Sequence, residues 1–388
     1  MSGPKVLVVA RRFWPFTDDA SQRLLQQCSA MARAGLDITV VTGRWHPHWP
    51  SYSVCREVPV HRLLPAPNSN WNEGHFQKNL VSWITKSTKK FDCLYVDRAD
   101  GLVLTLQSKC QKWEVPLLCR YSPDDSGYGL SSGQKITPLA MADACRRAAR
   151  IVCPTPNAHR LLVSQGIQES QIVRISDVAW EPVQKTVERR LAASNALFDT
   201  SSDFLIPGRS QLLLHLGLSE AAPLRMAIQA VADLLDTGML LRMWVIGSGV
   251  EPSVLYDLIK SRGWHREILL FDGFDDLLEL IQVADLCIAS NSKETIQYTL
   301  PLMASGGVAT MIADNQDCRA WLPEGNHFQL YSTEQSLAHK LNDWIANRER
   351  WTSMANALRQ HLNRGPSREA CVQKWLSLFR DSLTDRNA

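Results

Sequence analysis

The chain has 388 residues, of which 45% are hydrophobic and 21% are charged. These proportions are typical of a folded globular protein and exclude a disordered or collagen-like chain, and the length favours two domains. Lysine and arginine number 42 against 39 aspartate and glutamate, so the net charge of +3 is too small to indicate nucleic-acid binding.

The N-terminus and the cysteines indicate a soluble, cytoplasmic protein. The first apolar run, 6–10, is far shorter than the core of a signal peptide and is followed directly by Arg11 and Arg12. No stretch approaches the roughly 18 apolar residues of a membrane span. None of the ten cysteines belongs to a C-x-x-C pair, so we expect reduced thiols and predict neither a metal site nor a cofactor.

The first half of the chain alternates strands and helices. The run 5–10 is short, continuous and apolar, which predicts a buried parallel strand. A helix at 21–34, ended by Gly35, and a strand at 36–42 complete a right-handed parallel unit. Further strands are predicted at 92–96, 115–119, 151–153 and 172–175, and further helices at 101–113, 136–150 and 158–165.

The second half repeats this alternation after a polar segment without a clear period. Strands are predicted at 212–217, 241–247, 268–271, 285–289 and 308–312, with helices at 224–235, 254–262, 277–283, 334–347, 350–362 and 368–383. The sequence therefore predicts two doubly wound, Rossmann-like α/β domains facing a cleft. We expect domains at 1–178 and 211–365, an interdomain connection at 179–210, and a C-terminal helix in 366–388.

Ligands of doubly wound sheets bind beyond the carboxyl ends of the strands, so the loops after strands are the candidate sites. Gly247 and Gly249 follow a predicted strand, where either they let backbone N–H groups approach a ligand or they form a plain tight turn. The run is not G-x-G-x-x-G, which disfavours a nicotinamide enzyme.

Four blocks of the second half, with the N-terminal run 35–42, resemble one enzyme family in order and in spacing. The blocks are 244–249, 268–273, 284–294 and 302–307. They are similar to the large retaining family of GT-B glycosyltransferases called glycosyl transferases group 1. The resemblance implies a GT-B fold, in which the C-terminal helix in 366–388 returns to the first domain. It also implies metal-independent transfer of a sugar from a nucleotide-sugar donor to a glycan or lipid-linked acceptor in polysaccharide biosynthesis.

The resemblance implies catalytic roles for Glu294 and Asp124. Glu294 matches the first of two family glutamates, which contacts the donor sugar, although an acidic residue here is also typical of a helix start. Asp124 either contacts an acceptor hydroxyl or is a turn residue. The candidate donor-binding residues are Gly217, Arg225, Gly247, Gly249, Phe274, Asn291 and Thr295.

Several positions depart from the family pattern. Leu218 and Pro223 stand where the family places its phosphate-binding arginine and lysine, and Pro301 stands where a second glutamate holds the ribose. Loss of the two cations should weaken diphosphate binding, because charge-assisted hydrogen bonds are strong. Arg225, in the first turn of a predicted helix, either replaces the missing charge or is an ordinary solvated residue.

Tryptophans are frequent in the first domain. Trp14, Trp45, Trp49, Trp71 and Trp83 fall in its first 83 residues. Indole rings pack against sugar C–H groups, but they also serve ordinary packing and peripheral contact with a membrane surface.

The leading functional hypothesis is glycosyl transfer. One alternative is a catalytically degenerate GT-B domain that binds sugars or acts as a scaffold for an active transferase. A further alternative, a GT-B sugar epimerase, lacks a recognisable set of catalytic carboxylates and histidine.

Overall fold

The computed structural model describes residues 3–16, 19–87, 90–121, 142–143, 145–177, 183–205, 211–216, 221–247, 252–271, 277–289, 299–314, 319, 322–323 and 325–387. The chain divides into two compact units. Unit 1 comprises 1–14, 23–179 and 366–388, and unit 2 comprises 15–22 and 180–365.

Unit 1 is built on an eight-stranded sheet with the order β3-β4-β2-β1-β5-β6-β7-β8. Its strands are β1 Lys5–Val9, β2 Asp37–Gly43, β3 Tyr52–Cys55, β4 Val58–Leu63, β5 Cys93–Val96, β6 Leu117–Arg120, β7 Arg150–Cys153 and β8 Ile172–Arg174. All neighbouring strands pair in parallel except β3 and β4, which form an antiparallel hairpin at one edge.

Helices cover both faces of this sheet. They are α1 Asp19–Arg33, α2 Asn70–Ser87, α3 Gly101–Trp113, α4 Pro156–Ser164 and the C-terminal α12 Arg368–Asn387. Alternate side chains of a strand point to opposite faces, so Val6 and Val8 of β1 pack with α1 and α12, whereas Leu7 and Val9 pack with α2, α3 and α4. Apolar surface is therefore buried on both sides of β1.

The C-terminal helix α12 is part of the core of unit 1. Trp375 and Phe379 are buried, and their rings lie 5.1 and 6.3 Å from the ring of Tyr95 on β5. The edge-to-face arrangement adds a favourable aromatic contact to the buried area.

Unit 2 contains a six-stranded parallel sheet with the order β11-β10-β9-β12-β13-β14. Its strands are β9 Gln211–Leu216, β10 Leu241–Ile246, β11 Ile268–Phe271, β12 Leu286–Ala289, β13 Ala309–Ala313 and β14 Leu330–Tyr331. Its helices are α5 Val187–Thr200, α6 Ala221–Asp236, α7 Pro252–Ser261, α8 Leu277–Val283, α9 Thr299–Ser305, α10 Glu334–Ala346 and α11 Arg348–Leu362.

The segment for which the sequence indicates an interdomain connection carries α5. Ala193 and Leu197 of this helix are buried in a cluster with Trp244 and Leu280, and the indole N–H of Trp244 donates to the carbonyl of Phe204 at 3.0 Å. Ala193 and Leu197 therefore belong to the core of unit 2. The sequence of α5 is largely polar because the other faces of the helix are exposed.

Within the described ranges, no helix is both long and apolar enough to cross a membrane. The cysteines described there are all buried, and none forms a disulfide.

Candidate functional site

In unit 1, the strand order reverses between β1 and β5. From β1 the chain continues outward through β2 and β4, and from β5 it continues in the other direction through β6, β7 and β8. Ligands of open parallel sheets bind at such a switch point, beyond the carboxyl ends of the strands. Two groups of charged side chains lie there, one around Arg11 and one around Arg23.

The group around Arg11 joins three elements. Arg11, after β1, forms ion pairs with Glu73 in the first turn of α2 and with Asp100, whose Oδ2 lies 2.5 Å from Nε. Asp100 also caps α3, because its Oδ1 accepts from the N–H of Leu102 at 2.8 Å. Burial alone would lower the pKa of Arg11, but Asp100 and Glu73 raise it above its usual value. One guanidinium thus faces two largely buried carboxylates.

The group around Arg23 is more deeply buried. Nη2 of Arg23 lies 2.6 Å from Asp97, which follows β5, and Nη1 lies 3.6 Å from Asp177, which follows β8. Arg120, at the end of β6, lies 3.2 Å from Asp177. Burial alone would raise the pKa of Asp97, but Arg23 and Arg120 lower it below its usual value. These four residues, hereafter the buried charge network, connect α1 with the ends of three strands.

Four tryptophans belong to chain segments next to the carboxyl ends of β1, β2 and β4. Trp14 is in the loop after β1, Trp45 and Trp49 are in the loop after β2, and Trp71 begins α2 after β4. We call these four residues the aromatic edge. Trp71 is 76% exposed, and the other three are half-buried.

Polar groups fix the half-buried members of the aromatic edge. The indole N–H of Trp45 donates to the carbonyl of Arg11 at 2.8 Å. The guanidinium of Arg62 lies 5.8 Å from the ring centre of Trp14 and 6.0 Å from that of Trp49, within cation–π distance. The remaining sequence candidate, Trp83, has a different role, since it packs against His61 and Phe91.

In unit 2, the switch point lies between β9 and β12. Gly247 directly follows β10, and its φ of 155° is rarely adopted by residues with a side chain. Arg225 lies near the start of α6, the helix that follows β9, and its side chain is exposed. Since β9 and β10 are paired neighbours, both residues lie on the carboxyl side of this sheet.

The other candidates named from the sequence fall outside the described residues. They are Glu294, Asp124, Gly217, Gly249, Phe274, Asn291 and Thr295. Pro301 lies in the first turn of α9.

Further polar contacts at the carboxyl side of unit 2 were not predicted from the sequence. The hydroxyl of Tyr331 donates to the carbonyl of Ala289 at 3.0 Å, which connects β14 to the end of β12. Arg319 forms two hydrogen bonds with Asp314, at 2.7 and 2.5 Å. The Asp314–Arg319 spacing of five residues is the only signal that the sequence offers for this pair. Across the part of the chain that the structure describes, no three His, Cys, Asp or Glu side chains are grouped so that they could hold a metal ion.

Solved structures with a similar fold include glycosyltransferases and a putative UDP-N-acetylglucosamine 2-epimerase from Listeria monocytogenes. Sucrose-phosphate synthase from Thermosynechococcus elongatus has a TM-score of 0.71 at 12% identity and covers 98% of this chain and 100% of its own. Anabaena HepE in complex with UDP and glucose has a TM-score of 0.70 at 13% identity, and the match covers 97% of this chain and 99% of HepE. The catalytic domain of starch synthase IV from Arabidopsis thaliana, bound to ADP and acarbose, has a TM-score of 0.65 at 12% identity. The match covers 98% of this chain and 100% of that domain.

The protein therefore has the GT-B fold of glycosyltransferases, as the sequence predicts. Within it, residues 20–177 match the family model of the glycosyl transferase 4-like domain. This match covers most of unit 1. No curated protein matches the sequence.

Proposed function

We propose that this protein is a retaining glycosyltransferase that moves a sugar from a nucleotide-sugar donor to a glycan or lipid-linked acceptor in polysaccharide biosynthesis. The observation that carries the proposal is the GT-B fold along almost the whole chain, with a polar switch point in unit 1. Neighbours of this fold were solved with UDP-glucose, UDP and ADP. The cytoplasm is the proposed compartment, because the buried thiols are unpaired.

The donor is proposed to bind at the carboxyl side of the unit 2 sheet. Gly247 offers a backbone without a side chain, and Arg225 offers an exposed cation near a helix start, where the helix dipole also favours an anion. Because Leu218 and Pro223 lack charge, Arg225 is the cation on which we expect diphosphate binding to depend. Glu294 is proposed to accept hydrogen bonds from donor-sugar hydroxyls.

The acceptor is proposed to bind at the aromatic edge of unit 1. A sugar ring has an apolar C–H face that packs on indole rings and hydroxyl groups that hydrogen-bond to charged side chains. Trp71 supplies an exposed ring two residues before Glu73, whose carboxylate is held by Arg11. Asp124 is proposed as an additional acceptor contact.

Peripheral contact with a membrane surface is a second proposal for the same side of unit 1. Leu64, after β4, is 54% exposed and Trp71 is 76% exposed, so apolar side chains are available for an interface. Co-sedimentation with vesicles of neutral and anionic lipid tests it, and recovery of the protein in the supernatant with both would exclude it.

The donor site is tested by calorimetry with UDP, GDP and ADP and by transfer assays with their sugars. We expect dissociation constants at or above the high-micromolar range, which corresponds to a binding free energy of about −5 kcal/mol or weaker. Arg225→Gln should weaken binding by about tenfold, as expected for one charge-assisted contact. Arg262→Gln, which removes an exposed arginine after α7, serves as the control.

Catalysis and acceptor binding are tested separately. Glu294→Gln should lower kcat by about a hundredfold with little change in melting temperature, because a misplaced donor ring reacts slowly. Trp71→Ala should raise the KM for the acceptor. Trp83→Ala should instead lower the melting temperature, because Trp83 packs against His61 and Phe91. Failure of every nucleotide and nucleotide sugar to bind would refute the proposed function.

A further inference from the structure

A cluster of cations lies at the amino side of the unit 2 sheet, away from the strand ends proposed for the donor. Its centre is Asp285, the residue directly before β12. Three cations surround this one carboxylate: Lys185 before α5, Arg190 in α5 and Arg348 at the start of α11.

The three cations are held in different ways. Arg190 forms an ion pair with Asp285 at 2.8 Å. The ammonium group of Lys185 donates to the carbonyl of Ala284 at 2.6 Å. The guanidinium carbon of Arg348 lies 3.3 Å from the ring centre of Trp344. Within the described ranges, neither Lys185 nor Arg348 has a carboxylate at ion-pair distance.

Two of these three cations have a lowered pKa. Burial of the ammonium end, with a smaller contribution from Arg190, lowers the pKa of Lys185 to about 8, while Asp285 opposes the shift. Burial also lowers the pKa of Arg348, with a contribution from Arg190 in the same direction. Both shifts mean that a bound anion would stabilise the charged forms.

Arg348 also lines an open surface depression of about 560 Å³, hereafter the cavity, that follows one partly exposed side of α11. The polar residues of its lining are Arg348, Glu349, Thr352, Ser353, Asn356 and Gln360. From Arg348 to Gln360, the helix advances by roughly 18 Å. The lining thus has a cation at one end and carboxylate, hydroxyl and amide groups along its length, which can accept from and donate to sugar hydroxyls.

We propose that this cavity is a second ligand site for an anionic saccharide, separate from the donor site. The anionic group, a phosphate or a carboxylate, binds at Arg348, with Arg190 and Lys185 adding positive charge nearby. The hydroxyls of the sugar bind along α11. A neutral sugar lacks the charged contact, and Glu349 disfavours an anion without hydroxyls that can satisfy its carboxylate.

Calorimetry on the full chain tests this proposal with four probes: glucose 6-phosphate, glucuronate, glucose and inorganic phosphate. We expect at least one of the two anionic sugars to bind at least tenfold more tightly than glucose and than inorganic phosphate, since charged hydrogen bonds and sugar contacts both contribute. Whether glucose 6-phosphate or glucuronate binds more tightly shows whether the site prefers a phosphate or a carboxylate. Equal binding of the anionic sugars and inorganic phosphate would overturn the saccharide assignment, and no binding of either anionic sugar would overturn the site.

Two variants locate the binding. Arg348→Gln removes the charge at the mouth, and Ser353→Leu fills the cavity at an exposed position without changing charge; each should weaken binding at least tenfold. Arg364→Gln, beyond the end of α11, is the matched charge control and should bind normally. Unchanged affinity in Ser353→Leu would overturn the proposal even if Arg348→Gln fails to fold.

Saturating UDP separates this site from the donor site. We expect UDP to leave the affinity for the anionic sugar unchanged, and competition between them would overturn a separate site. The inference does not rest on the proposed transferase activity, so either can fail without the other.

Discussion

Replacement of Arg23 by methionine should destabilise unit 1 strongly, because the buried charge network depends on this guanidinium. Arg23 is 6% and Asp97 is 4% exposed, and the two side chains are 2.6 Å apart. Removal of one partner from a buried pair typically costs 3–5 kcal/mol, because the remaining charge stays buried without compensation. Arg120 still neutralises Asp177, so we expect a loss near the lower limit, about 3 kcal/mol.

The measurement is equilibrium urea denaturation of the full chain followed by circular dichroism. A chain with two units can unfold in two transitions, and only that of unit 1 should move. Arg33→Met is the matched control, because Arg33 is exposed at the end of the same helix and its loss should change the free energy of unfolding by less than about 0.5 kcal/mol.

The effect of Arg23→Met should also depend on pH. The pKa of Asp97 is lowered in the folded protein, so its ionised form contributes stability above the unfolded pKa of about 4, and this contribution is lost as pH falls through the folded pKa. Without Arg23 that pKa rises. The difference between parent and variant should therefore be largest at neutral pH and should shrink in acid. A variant as stable as the parent, or a difference that does not change with pH, would refute the network as a stabilising ion cluster.

Three other changes test the packing and the helix ends. Gly306→Ala should cost about 1–3 kcal/mol, because a Cβ would lie 2.2 Å from Cγ2 of the buried Ile281; a parent-like melting temperature would contradict this. Deletion of 366–388 should expose apolar core surface of unit 1 and lower solubility, measured by sedimentation, and a soluble truncated protein with the parent's melting temperature would show that α12 is dispensable. Thr333→Ala should cost unit 2 about 1 kcal/mol in urea denaturation, because it removes the capping box with Ser336, and no loss would mean that water satisfies the helix end equally well.

The parallel strands other than β4 and β14 could be predicted, because each is a short apolar run. Strand β14 has only two residues and is too short to give such a run. The hairpin of β3 and β4 was not predicted, for two physical reasons. Tyr52 and Val54 are 51% and 58% exposed, so β3 lacks a buried run. The turn places Arg56 and Glu57 at φ of 47° and 72°, a conformation that usually requires glycine, asparagine or aspartate, and neither residue gives a turn signal.

The buried charge network could not be predicted from the sequence for a different reason. Arg23 lies between polar and apolar residues of an amphipathic helix, where an arginine is ordinarily solvated. Its partners Asp97 and Asp177 are 74 and 154 positions away, and only the strand order brings them together. Motif reasoning detects local spacing, so a site made from the ends of β5, β6 and β8 gives no local signal.

The proposed acceptor surface of unit 1 and the proposed donor site of unit 2 differ in what fixes their side chains. In unit 1 the polar groups are attached to strand ends and helix starts, and each is held by a named partner, as Arg11 is by Glu73 and Asp100. Side chains held in this way lose little additional entropy when a ligand binds, so they favour a rigid recognition surface. The candidate donor-binding residues were instead identified from loop motifs. Such motifs give the residue types at a site but not the positions of the side chains in space. The proposed donor site therefore rests on a family resemblance in the sequence, whereas the proposed acceptor surface, built from side chains distant in sequence, becomes recognisable only from the strand order of unit 1.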